Sequence, residues 1–195
     1  MSRSGKRRNV LFILTDSWDG RMLGCLGHPA LQRATPNVDR LAQRGILFPN
    51  TYTTHPICCP ARANLWSGQY SFRCKSWNNY KGLESGTPTF KDRLETEAGY
   101  NFASDLGGYG KHDYLSGSHT HLARMTAWTG PASIQLPMYE TDKPTILESE
   151  AMRVNEYDWR SADRACEFLR QEAQTETPFF CYLGLEQPHP PFITN

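Results

Sequence analysis

The sequence predicts an α/β fold. Three observations carry that prediction: an uninterrupted apolar run at residues 9–15 (NVLFILT), a second at 179–185, and stretches between them whose apolar residues recur at helical spacing. Residues 9–15 lack the polar alternation of a half-exposed strand and read as a central strand covered on both faces. Thr35 then supplies an N-cap, Pro36 occupies the first helical position, Val38, Leu41 and Ala42 form an apolar stripe, and Gly45 closes the helix. Residues 46–52 read as a further strand, 59–68 as a helix entered through Pro60, 90–97 as another helix and 101–106 as a short strand. Trp159, Ala162, Ala165, Cys166 and Leu169 mark a late helix, after which Pro178 opens the second apolar run. Residues 107–158, rich in Gly, His, Thr and Pro, show little periodicity, and the chain contains no internal repeat.

Composition narrows the function classes. The chain has 195 residues with 21 Lys+Arg against 20 Asp+Glu, a formal charge of +1, which excludes a dedicated nucleic-acid binder because neutralising many phosphates needs a basic excess. A hydrophobic fraction of 38% with 21% charged residues fits one folded domain. No apolar run approaches the roughly 20 residues that span a bilayer, so no membrane partner is expected. The first eight residues carry four basic side chains, like the start of a signal peptide, but the apolar stretch that follows is short and turns acidic at Asp16. The expected compartment is cytoplasmic for the chain as written, and secreted or lysosomal if the N-terminus is incomplete.

Six cysteines, at 25, 58, 59, 74, 166 and 181, are too scattered for a disulfide framework. No C-x-x-C pair occurs and the nearest histidines lack a matching spacing, which argues against a zinc site. Cys25, Cys74, Cys166 and Cys181 read as ordinary thiols.

Chemistry concentrates where strands end and helices begin, because those points converge on one crevice in an open α/β sheet. Asp16 closes the first apolar run and either caps a loop or ligates a hard divalent cation. In HPICCPARANLWSG, residues 55–68, Cys58 precedes a helix N-terminus whose free N–H groups and dipole favour an anion and a depressed thiol pKa. Arg62 lies one turn away and either faces Cys58 or points to solvent.

Cys58, Pro60 and Arg62 form C-x-P-x-R, which resembles the signature of the sulfatase family, whose cysteine is oxidised after translation to formylglycine (3-oxoalanine). Cys59 lacks the matching Pro and Arg, so Cys58 is the convertible residue. NVLFILTD at 9–16, TPNVDRLA at 35–42 and NTY at 50–52 are also sulfatase-like. Within the family, SWNNYKGL at 76–83, GKHDYLSG at 110–117 and YLGLEQPHP at 182–190 are similar to the arylsulfatase K subgroup.

The resemblance implies an alkaline-phosphatase-like mixed sheet flanked by helices, and a sulfuric ester hydrolase of arylsulfatase type. It implies that the hydrate of formylglycine 58 attacks sulfur, and that Arg62 steadies that hydrate. Lys111 would contact the sulfate, and His189 would bind sulfate or assist the leaving group. Asp16 and residue 58 would ligate Ca²⁺ or Mg²⁺, the substrate would be a sulfated small molecule or sulfated sugar, and a formylglycine-generating enzyme would be a partner. A phosphomonoester or phosphonate hydrolase of the same superfamily is the alternative. Trp77, Asn78 and Asn79 either line a substrate pocket or pack.

Departures accompany the matches. The second aspartate usual after the first strand is Ser17 here, leaving Asp19 or water for that place. His112 is displaced by one position from the family histidine, and His119 and His121 have the alternation to share a face but read as part of a surface loop. No D-H or D-N pair occurs to supply later metal ligands. The expectation is therefore that residues 1–195 are the N-terminal part of a sulfatase catalytic domain with no second domain, a catalytically incomplete piece of a longer protein.

Overall fold

A computed structural model of the chain describes residues 7–115, 146–148, 155–189 and 192–194. Six strands and five helices occur among them: β1 (Val10–Thr15), α1 (Pro36–Arg44), α2 (Cys58–Ser67), α3 (Ser71–Cys74), α4 (Phe90–Ala98), β2 (Asn101–Phe102), β3 (Gly108–Gly110), β4 (Ile146–Glu148), α5 (Glu156–Glu172), β5 (Phe179–Leu185) and β6 (Phe192–Thr194). The chain divides into two compact units, one of Met1–Asp16 with Thr54–Asn195 and one of Ser17–Thr53.

The first unit is organised by β5, which pairs in parallel with β1 along one edge and with β2 and then β3 along the other. FFCYLGL is apolar on both faces, and each face has its own layer. Phe180 and Tyr182 pack with Ala63 and Trp66 of α2, Leu83 and Tyr114; Trp66 stacks between Phe90 at 4.7 Å and Tyr114 at 4.5 Å. Phe179, Cys181 and Leu183 pack against Ala165 and Phe168 of α5. The central strand is thus β5, whereas β1 is bonded on one side only among the described residues and leaves Leu11 45% and Ile13 50% exposed. The sequence could not distinguish the two runs, because apolarity on both faces describes an edge strand with an open face as well as a buried one.

Local chemistry explains the helices. Thr89 and Asp92 form a reciprocal capping box at the start of α4, and Gly99 ends it in the left-handed conformation. Asn155 caps α5, with Glu156 and Asp158 in its first turn and Arg170 in its last. The buried stripe of α5 runs through Asp158, Ser161, Ala165 and Phe168. Trp159 is 45% exposed and Cys166 is exposed, so two of the five positions expected to pack inward do not.

In the second unit, a 3-10 turn at Gly24–Leu26 precedes α1. Thr35 precedes Pro36 as expected, and its hydroxyl bonds Asp39 Oδ1 at 3.0 Å while accepting from Gly24 N at 2.9 Å. The strand expected at 46–52 does not form: Ile46 and Phe48 are 80% and 72% exposed, Pro49 interrupts the segment, and among the described residues it pairs with no strand. The strand expected over 101–106 shortens to Asn101–Phe102; after it the chain turns at Ser104, whose carbonyl accepts Gly107 N at 2.8 Å and whose hydroxyl accepts Gly108 N at 3.1 Å. Beyond it, β3 appears where the sequence showed no periodicity, and β4 pairs with β6.

Candidate active site

Strand ends and one helix start assemble the site. Asp16 directly follows β1 and is tied to β5 by its N–H to the Leu185 carbonyl at 3.0 Å. Lys111 directly follows β3, its N–H on the Gly184 carbonyl at 2.9 Å. This close pairing needs glycine: a Cβ on Gly108 would collide with the Tyr182 carbonyl. Cys58 is the first residue of α2, and Arg62 is one turn further on.

The four side chains meet. Lys111 Nζ lies 2.6 Å from Asp16 Oδ2, Arg62 Nη2 lies 3.8 Å from the same oxygen, and Cys58 Sγ lies 3.9 Å from Asp16 Oδ1. Asp16, Arg62 and Lys111 are all buried. Arg62 faces inward rather than to solvent: its Nη1 donates to the Tyr182 hydroxyl at 2.5 Å and to the Lys111 carbonyl at 3.2 Å, and the Tyr182 hydroxyl donates to that carbonyl at 2.8 Å. His189 joins the group; a ligand atom from each of Asp16, Cys58 and His189 lies within 4.8 Å of the others.

Electrostatics follow from this packing. Burial works to raise the Asp16 pKa, but the ammonium of Lys111 and then Arg62 and His189 hold it below the ordinary carboxylate value. Burial works against the Lys111 ammonium, yet Asp16 and then Asp113, 3.4 Å away, lift its pKa above normal. Cys58 departs from expectation. Burial first and Asp16 second raise its thiol pKa, outweighing Lys111 and Arg62.

Three participants carry no short-range sequence signal. Asn79 Oδ1 accepts from Cys59 N at 2.9 Å and so caps the helix that bears Cys58 from 20 residues away. Asp158 accepts Glu186 N at 2.8 Å and Gln187 N at 2.9 Å, fixing the turn that presents His189. Tyr182 couples Arg62 to Lys111. Only an alternation or contact pattern spanning the whole chain would have shown them.

The remaining candidates have partners of their own. His112 Nδ1 sits 2.8 Å from the Gly110 carbonyl, which can only accept, so Nδ1 carries the proton; burial lowers the ring's pKa and it packs 4.9 Å from Tyr182. Trp77 is 55% exposed, and Asn78 accepts from Tyr80 N. Asp19 is clamped by Arg21, which holds its carboxyl down at about 2. His119 and His121 lie outside the described residues.

As a thiol, Cys58 offers sulfur. A hard cation such as Ca²⁺ takes six to eight oxygens; among the described residues the cluster offers the carboxylates of Asp16 and, across Lys111, Asp113, so the thiol form does not fit Ca²⁺.

The sulfatase family pattern matches residues 8–195. Arylsulfatase K of Homo sapiens is 39% identical over 191 residues, covering 96% of this chain and 34% of the human protein. That of Xenopus laevis is 38% identical, covering 97% and 34%. The chain spans about a third of the length of these curated relatives. Among solved structures, a 2-O GAG sulfatase, BT1596, matches with a TM-score of 0.61 at 26% identity over 93% of this chain and 35% of that one. The phosphonate monoester hydrolase of Agrobacterium radiobacter matches in fold, with a TM-score of 0.62 at 24% identity over 95% and 42%.

Proposed function

Because the chain belongs to the sulfatase family, we propose that it carries the nucleophile side of a metal-dependent sulfuric ester hydrolase that works through formylglycine at position 58. The observation that carries this reading is the convergence of Cys58, Asp16, Arg62 and Lys111 from two strand ends and one helix start. A sulfate ester is an anion, so its hydrolysis needs fixed cations where negative charge gathers. Lys111 and Arg62 are two such cations, both buried, where the field of a charge is least screened.

In this reading Lys111 holds a sulfate oxygen, Arg62 steadies the oxyanion on residue 58, and His189 hands a proton to the departing alcohol. Asp16 keeps Lys111 charged and oriented. Converted residue 58, as the hydrated aldehyde, supplies one hydroxyl for attack on sulfur and a second whose deprotonation releases sulfate. A divalent cation, Ca²⁺ or Mg²⁺, held by Asp16 and an oxygen of converted residue 58, supplies Lewis-acid polarisation of the sulfate when bound. The substrate class we assign is a sulfated sugar, supported by likeness to the 2-O GAG sulfatase. A formylglycine-generating enzyme is the maturation partner.

Coexpression with such an enzyme followed by mass spectrometry of the Cys58 peptide tests the nucleophile; a thiol unconverted under every condition overturns it. Turnover of an aryl sulfate, an aryl phosphate and a phosphonate monoester then tests the ester. The expected order places sulfate first, and a preference for phosphonate overturns the sulfatase reading.

A further inference from the structure

Residues 70–80 (YSFRCKSWNNY) hold four aromatic side chains, Tyr70, Phe72, Trp77 and Tyr80, each more than half exposed. Rings at this density are not the scattered apolar residues of an ordinary surface. Arg73 and Lys75 are exposed among them, and no acidic residue occurs in the stretch. Neither cation forms an ion pair among the described residues, whereas the next one, Lys81, is taken by Glu84 at 3.0 Å. A chain with a formal charge of only +1 therefore concentrates uncompensated positive charge beside exposed rings.

The stretch is fixed, and it is fixed to the helix that bears residue 58. Its remaining side chains turn inward. Asn64 Nδ2 donates to the Ser71 hydroxyl at 3.1 Å, and the Cys74 thiol donates to Asn64 Oδ1 at 3.4 Å. Ser76 is fully buried, with its hydroxyl on the Lys81 carbonyl at 2.6 Å, and Asn79 Oδ1 accepts from Cys59 N at 2.9 Å. Asn64 and Cys59 both lie on α2 and are separated by about 8 Å along its axis. Residues 71–79 thus run back along α2 toward its N-terminus and Cys58. At the far end Tyr70 and Phe72 stack with ring centres 5.6 Å apart, and the Arg73 guanidinium lies 5.7 Å over Phe72. At the near end Trp77 and Tyr80 flank Asn79 in sequence, beside the start of the helix that presents residue 58.

We infer that residues 70–80 are a docking strip for an anionic sugar chain. The rings stack on the apolar faces of its sugar units, and Arg73 and Lys75 pair with sulfate or carboxylate groups on units other than the one carrying the reacting ester. This rests on the sulfated-sugar reading proposed above and extends it from one ester to the chain that bears it. Charge complementarity selects the occupant: two cations without acidic partners match a polyanion. A lipid surface suits the strip less, because the cations interrupt the rings and α3, with 4 residues, is too short to lay an apolar face on a bilayer.

The test uses the full chain with Cys58 left as the thiol and measures binding alone, by calorimetry. The probes are a sulfated glycosaminoglycan hexasaccharide, the matching disaccharide and the desulfated hexasaccharide. The sulfated hexasaccharide is expected to bind about tenfold tighter than either of the others. Trp77→Ala and Tyr80→Ala are each expected to weaken the hexasaccharide by about three- to tenfold and to leave the disaccharide unchanged, with Trp77→Phe restoring most of the loss. Arg73→Gln combined with Lys75→Gln is expected to reduce the slope of log affinity against log salt by about 1–2, as for any polyanion. Trp159→Ala, which removes an exposed ring from α5, should change nothing, and circular dichroism checks that each variant is folded. The assignment is overturned if the sulfated hexasaccharide binds no tighter than the disaccharide or its desulfated form, or if Trp77→Ala and Tyr80→Ala both bind as wild type. It is equally overturned if phosphatidylserine vesicles or a single-stranded oligonucleotide bind more tightly than the hexasaccharide. A thiol that resists conversion, or a preference for phosphonate, would sink the sulfatase reading without altering this binding, so the two failures are distinguishable.

Discussion

Tyr182 shows how much one side chain can fix. Its hydroxyl accepts from the Arg62 guanidinium and donates to the Lys111 carbonyl, so one phenol ties the Arg62 cation to the backbone that carries Lys111. Tyr182→Phe leaves the Arg62 charge buried with one partner fewer; a loss of about 1–3 kcal/mol is expected, checked by urea unfolding. Its neighbour Cys181 gives a pH prediction. Burial pushes the Cys181 thiol up to about 11 from 9.0, so the folded chain keeps a proton that the unfolded chain has released. Fewer protons on the unfolded state mean that stability is complete below pH 9 and falls as pH rises toward 11. Cys181→Ala is expected to flatten part of that decline in chemical-denaturation midpoints; an unchanged slope would contradict the assignment. Cys59 and Tyr182, each raised by burial to about 12, contribute to the same decline.

At the scale of elements, the tightest constraint is the pairing of β3 with β5. A Cβ on Gly108 would meet the Tyr182 backbone, whereas one on Gly86, at φ +80°, would meet nothing and suffer only left-handed strain. Gly108→Ala should therefore cost about 1–3 kcal/mol and Gly86→Ala about 1–2 kcal/mol. In thermal melts Gly108→Ala should also weaken any binding at Lys111, which directly follows β3, while Gly86→Ala should not. The sequence announced the elements that carry their own punctuation: α1 through Thr35, Pro36 and Gly45, α2 through Pro60 and Gly68, and β5 through its apolar run. It concealed β3, whose three residues include two glycines, and it offered a false strand at 46–52, where apolar residues find no ladder to join. Asp16, Cys58, Arg62 and Lys111 were legible because they sit in recognisable motifs. Asp158 was not, and Asn79 was singled out only as a pocket or packing residue, because their roles are hydrogen bonds to amides remote in sequence. The Cys58 thiol pKa was misjudged because a helix N-terminus is local and visible, whereas burial and the Asp16 carboxylate are tertiary.

At the scale of the whole molecule, the sheet leaves one edge and one face of β1 open among the described residues, with Leu11 and Ile13 half exposed. An unpaired apolar edge is a template for association with another chain. Ile13→Lys is expected to lower light scattering on concentration while moving the unfolding midpoint little, since exposed substitutions usually fall within about 0.5 kcal/mol. Unchanged scattering would show that association runs through another surface.

The pairing of β1 with β5 also sets a clock. Asn9 Oδ1 accepts from Phe179 N across 170 residues of chain. A ribosome adding about 5–20 residues per second takes roughly 10–30 s to make that stretch. During this interval β1 has no partner, and Asp16, Cys58 and Lys111 have no common frame. Under the proposed reading, this interval is when a formylglycine-generating enzyme would have access to Cys58. Under that same reading, the late arrival of the central strand sets the time available for converting residue 58.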